Sequence, residues 1–227
     1  MLLAEHLTLI ALEPASGLPR TGCVAALSRP MVSAALLTEL AVQTRLGLRG
    51  GRVIVLDDLP SRHLLLTETL HAIRRVDGRL DCRQAIRYIS RSVQGLPWEV
   101  LEGLVRRDIL HAVERRWWIL GERRYRVRSL QAQNEALEAL HEAAVGRRNS
   151  LEAVAMLALA LGSGIVRSLL TAAEHAEADA RMQLLLSEID QELASNAELL
   201  DTHYSIALMT GIGTAVSALL KEEGKKP

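Results

Sequence analysis

Not one phenylalanine occurs in this chain of 227 residues, and Phe, Trp and Tyr together supply only 3% of it. Apolar residues nevertheless reach 49%, so the core must be assembled from Leu, Ala, Val and Ile. Such a core favours helices, in which Ala and Leu are the best formers, over a β-sandwich, which draws on aromatic and β-branched side chains. The same apolar content excludes global disorder. The length suits one sizeable domain or two small ones.

Periodicity along the chain supports this. Residues 2–12 predict an apolar helix, and 13–22, "EPASGLPRTG", a loop with two prolines and two glycines. Helical spacing over 31–46 predicts a helix ended by "GLRGG". "RVIVLD", 52–57, predicts a short strand. Helices follow over 64–76 and over 81–93, the second capped by Asp81, and another starts near 95 with Pro97 in its first turn. The runs 130–145, 150–173, 176–194 and 196–220 are long, rich in Ala and Leu, and predict an antiparallel helical bundle. Between the two regions, "HAVERRWWIL" and "RRYRVR" predict a hairpin over 113–128 turning at "GE". The expected fold class is mainly α: a helical bundle with a protruding β-hairpin and a winged-helix-like unit in the first half.

Net charge is zero, but it is divided unevenly. Residues 1–128 hold 20 Arg and Lys against 13 Asp and Glu, whereas 129–227 hold 7 against 14. A basic face therefore belongs to the first half. Nearly all the cations are Arg, which suits bidentate phosphate recognition, although a GC-rich genome would give the same bias. Two isolated thiols, Cys23 and Cys82, form no metal or disulfide framework and fit a reducing compartment. The N-terminal "MLLAEHLTLIALE" meets Glu5 and His6 too early for a signal peptide. Two apolar runs, 153–166 and 204–220, read as central helices of a soluble bundle rather than membrane spans.

A search for catalytic chemistry finds little. "GIGTAV", 211–216, follows no strand and has no third glycine, so it predicts close helix packing rather than a dinucleotide site. No phosphate loop, GxSxG or HExxH is present. "EHAEAD", 174–179, places His175 and Asp179 on one helix face, which predicts a solvated surface before a metal pair. Asp57 and Asp58 follow the short strand and predict a turn, and His63, His71 and His111 are scattered singly. The expectation is a protein without catalytic activity, metal or cofactor.

Several segments, taken in order, resemble the Golgi phosphoprotein 3 family: "LLAEHLTLIALEPASG", the helix "ALLTELAVQTRLGL", "GRVIVLDDLPSRHLLLTETLHAIR", and "LEGLVRRDIL" followed by "RRWWILGERRYRV". The compact, Arg-rich and Lys-poor chain looks like a bacterial member. The resemblance implies one domain over 1–227, with a basic half at 1–129 and a bundle half at 130–220. It also implies a cytoplasmic, peripherally membrane-associated adaptor that binds phosphatidylinositol 4-phosphate and gathers protein clients. The family's headgroup pocket uses a Trp and an Arg ahead of the signature helix and two Arg a turn apart ahead of the Leu-Val helix. Here Val24, Ser33, Gln94 and Pro97 fall near those places. Arg29, Arg87 and Arg91 lie within a turn or two and are expected to stand in.

The hairpin adds the remaining candidate residues. Six Arg and two Glu occupy 114–128. Strand alternation points Trp117 and Trp118 to opposite faces and groups Arg124, Arg126 and Arg128 on one face opposite Tyr125 and Val127. One Trp then packs inward and the other is left facing a row of arginines, so the hairpin's candidate lipid-binding residues are Arg115, Arg116, Trp117, Trp118, Arg123, Arg124 and Arg126. An outward Trp among Arg suits an anionic membrane surface, a second copy of the chain or, less well, nucleic acid. The leading expectation is an adaptor binding an anionic, phosphoinositide-like lipid. The alternative is a protein–protein interaction module that oligomerises through the hairpin.

Overall fold

The computed structural model describes residues 1–113, 124–148, 150–192 and 200–223. Among these the chain is mainly helical, with two small antiparallel hairpins.

Helix α2 (Arg29–Val42) occupies the middle. The Ser28 hydroxyl caps it, accepting from the Met31 N–H at 3.3 Å, and Pro30 sits in the first turn, where its missing N–H costs no bond. Met31, Val32, Leu36, Leu37 and Leu40 are at most 1% exposed. A helix apolar on every side has to be enclosed. α1 (Leu3–Ala11), α4 (Cys82–Ser92), α7 (Leu151–Ser163) and α10 (Leu200–Glu223) enclose it. The resulting apolar cluster takes residues from both charge halves, from Leu2 to Leu219.

The helix predicted over 31–46 stops four residues early. Thr44 takes a left-handed conformation, φ 53°, and the chain enters β1 (Leu46–Arg49). β1 pairs with β2 (Arg52–Val55) in the register Leu46↔Val55 and Arg49↔Arg52. Gly50 and Gly51, at φ 57° and 73°, make the turn, which needs positive φ at both positions. The predicted strand is thus half of a hairpin.

α3 (Leu64–Arg74) and α4 follow. Asp81 caps α4 as expected: its carboxylate accepts from Gln84 N–H at 2.8 Å, and the Gln84 side chain accepts from Asp81 N–H at 3.1 Å. α5 (Trp98–Arg106) begins just after Pro97, which follows a cis peptide bond. The second hairpin pairs β3 (Leu110–Val113) with β4 (Arg124–Val127), from Leu110↔Val127 to Val113↔Arg124. Under it a smaller cluster packs Leu9, Leu12, Leu101, Leu104, Leu110 and Tyr125.

α6 (Leu130–Ala144) is capped by Ser129 and tied back to α1, because the Gln133 amide donates to the carbonyls of Leu9 and Leu12, both at 2.8 Å. The helix predicted over 150–173 is broken. Gly164 at φ 75° ends α7, and α8 (Val166–Leu169) is a separate short turn. α9 (Ala172–Glu192) lies against α6 and α7. α10 is long and apolar enough to cross a bilayer over Asp201–Glu222, but 56% of its apolar window is buried in the protein. It packs on α7, α2, β1 and α4, and the Ser205 hydroxyl donates to the Leu46 carbonyl at 3.1 Å.

Candidate functional site

Three pieces of the first half converge on one surface cavity of about 370 Å³. Arg62, His63, Leu64 and Glu68 come from the start of α3, Gln94 and Gly95 from the link after α4, and Glu99 and Arg106 from α5.

Local chemistry fixes each wall. Thr67 holds the loop before α3: its hydroxyl accepts from Ser61 N–H at 3.1 Å and donates to the Ser61 carbonyl at 3.0 Å. That pins Arg62 and His63 between them. Glu99 and Arg106 are seven residues apart on α5, two turns of helix, so both face the same side. Gly95, at φ 76°, lets the chain turn into α5.

The charges here are uncommitted. Arg62, Glu68, Glu99 and Arg106 are all exposed, and none forms an ion pair or side-chain hydrogen bond among the described residues. His63 Nδ1 is shielded from solvent and also has no hydrogen-bond partner among them. Two large apolar side chains stand out beside the cavity. Leu64 on its wall is 71% exposed, and Trp98, next to Glu99, is 52% exposed. The Trp98 ring lies 6.3 Å from that of Tyr125, which ties the start of α5 to the second hairpin. Tyr125 is buried, with its hydroxyl donating to Glu102 at 3.0 Å, and Arg124 and Arg126 are exposed on the opposite face of β4.

The residues named from the sequence are dispersed. Arg29 donates Nε–H to the Leu96 carbonyl at 2.8 Å, close to Gln94 and Pro97 in the chain. Arg87 does not reach the cavity: with Arg83 it grips the Glu222 carboxylate at the end of α10, at 2.5 and 2.6 Å. Arg91 is exposed in the last turn of α4 and does not line the cavity. Arg115, Arg116, Trp117, Trp118 and Arg123 lie outside the described residues. Of the four residues that the resemblance places near the family's headgroup positions, Val24 is exposed and Ser33 is fully buried, its hydroxyl bonded to Arg29 O and Ser90 Oγ. Gln94 lines the cavity, and Pro97 adjoins its wall in the chain.

Sequence reasoning missed Arg62, Glu68, Glu99, Arg106 and Trp98. Only Trp98 carried a signal, as a third Trp at a helix start where no apolar stripe demands it. His175 pairs with Asp179 at 3.3 Å, one turn on, and no group of three metal-ligating side chains forms among the described residues. Asp58 pairs with Arg74 at 2.7 Å, and Asp57 accepts from Leu59 N–H at 3.0 Å, as turn residues do.

The structure therefore defines a mainly helical protein whose basic half carries a charged surface cavity beside an arginine-faced hairpin. The chain matches the family model of Golgi phosphoprotein 3 (GPP34) over residues 3–202, and it belongs to that family. A search of the curated proteins returns no match.

Proposed function

We propose that this protein is a non-catalytic adaptor that docks peripherally on membranes, reading a phosphate-bearing lipid headgroup with the arginines of its first half. Family membership supports the adaptor role. The observation that carries the lipid reading is the pairing of two unengaged guanidiniums, Arg62 and Arg106, with exposed Leu64 around one cavity, next to whose Glu99 the exposed Trp98 stands in the chain. Guanidinium suits phosphate, and Trp suits the headgroup level of a bilayer. Arg124 and Arg126 extend the basic surface along β4, each cation near an anionic surface contributing about 1 kcal/mol. The proposal treats 1–227 as one domain in the cytoplasm, with Arg29 and Arg91 as flanking cations.

Co-sedimentation with anionic vesicles tests this. Arg124→Glu with Arg126→Glu should lower partitioning at least about tenfold, from the loss of about 2 kcal/mol of attraction. Raising salt from about 0.1 to about 1 M should do similar damage, as the Debye length falls from about 10 to about 3 Å. Wild-type protein that ignores anionic vesicles at low salt would end the membrane reading.

One observation favours the second reading, self-association. Among the described residues β3 and β4 pair only with each other, so no third strand extends this hairpin. Sedimentation that depends on protein concentration, without vesicle binding, would select it.

A further inference from the structure

The membrane reading leaves two residues of the cavity unused, Glu68 and Glu99. We infer that the cavity holds a headgroup carrying both a phosphate and a primary ammonium, that of an aminophospholipid. The inference rests on the membrane reading and narrows it.

Each main wall carries one charge of either sign: Arg62 and Glu68 at the start of α3, Arg106 and Glu99 on α5. The four formal charges cancel, and none is neutralised by an ion pair among the described residues. A site for a polyanionic headgroup would not set two carboxylates against it, because like charges repel. A site for a phosphate alone would have no use for them. A ligand with a phosphate at one end and an ammonium at the other pairs with all four. An ammonium carries only donors, so it suits two carboxylates. The volume, about 370 Å³, suits a small headgroup. Leu64, exposed on the α3 wall, supplies an apolar rim where acyl chains would begin.

The test uses the full chain and vesicles of phosphatidylcholine, whose quaternary ammonium donates no hydrogen bond, alone or doped with phosphatidylethanolamine or phosphatidylglycerol. Glycerophosphoethanolamine in solution, followed by tryptophan fluorescence, forms a parallel arm. Wild type should favour the phosphatidylethanolamine vesicles over phosphatidylcholine alone at least about tenfold, the ratio that 1.4 kcal/mol represents. Glu68→Gln with Glu99→Gln should abolish that preference while binding phosphatidylglycerol vesicles as well as wild type or better. Arg62→Gln with Arg106→Gln should weaken binding to both. All four side chains are exposed, so the variants should fold, and thermal melts verify it. Binding to phosphatidylglycerol with no amine preference, or a preference that survives both Glu changes, overturns the inference and leaves the membrane reading standing. Binding of the soluble headgroup without binding to any vesicle overturns the lipid assignment itself. Silence in both arms overturns the inference and the membrane reading together.

Discussion

Gly162 of α7 and Gly213 of α10 touch backbone to backbone. A β-carbon added at residue 162 would stand 2.3 Å from the Gly213 carbonyl oxygen, and one at 213 would stand 2.8 Å from the Ala158 carbonyl oxygen. The opposing atoms are main chain, so neither can swing aside. Gly162→Ala should therefore push the two helices apart. The expected cost is about 1–3 kcal/mol, the usual penalty for overpacking, read as a lowered urea midpoint at unchanged slope. Ala at Gly164, where nothing lies within 4 Å but φ is 75°, should instead destabilise through backbone strain alone, by about 1 kcal/mol. Equal stability of wild type and Gly162→Ala would mean that the contact is looser than described.

Arg107 should prove indispensable to the N-terminal helix. Glu5 is 2% exposed, pairs with the Arg107 guanidinium, and also accepts from Leu2 N–H at 2.8 Å. Removing the cation strands a carboxylate inside the protein. Arg107→Met should cost about 3 kcal/mol. Adding Glu5→Gln should restore part of that loss, giving a favourable coupling in a double-mutant cycle. Additive effects in the cycle would refute the pairing.

Glu222 holds two cations that an external anion could otherwise use. Its pairs with Arg83 and Arg87 are 41–48% exposed, so Glu222→Gln should change stability by less than about 1 kcal/mol. It should instead raise affinity for anionic vesicles and steepen the salt dependence, since two more guanidiniums become available. Unchanged binding with unchanged salt slope would show that α4 does not face the membrane.

Cys82 should make the fold sensitive to alkali. Burial, with a smaller contribution from Asp81, pushes its thiol up to about 12. The folded pKa is raised above the unfolded one, so this contribution is intact below about 9 and fades as pH rises toward 12. Over that window stability should fall by up to about 1.4 kcal/mol per pH unit, and Cys82→Ala should flatten the slope. Rapid labelling of Cys82 by a thiol reagent in folded protein at about pH 8 would contradict the burial.

Local features of the fold were readable in the chain, and convergent ones were not. The Asp81 cap, the α1 and α6 helices and the outward row of Arg124 and Arg126 all follow from spacing of four residues or fewer. The β1–β2 turn was also legible, because Gly50 and Gly51 between apolar runs are a hairpin signal, but helical periodicity upstream outweighed it. The break at Gly164 was hidden for a similar reason, since a run of Ala and Leu continues on both sides. The cavity could not be seen at all: Arg62 and Arg106 are 44 residues apart, and only tertiary packing joins them. Arg87 was diverted for the same reason, its partner Glu222 lying 135 positions away.

The centrality of α10 also sets a timetable for synthesis. α2 ends at Val42, and the helix that closes over it starts at Leu200. At translation rates of about 5–20 residues per second, roughly eight to thirty seconds separate the two. Throughout that interval the nascent chain carries the apolar back of α2 uncovered. The protein thus finishes its core only after most of it has left the ribosome, and until then the side of α2 that α10 will cover is an aggregation-prone apolar surface with only the earlier helices α1, α4 and α7 beside it.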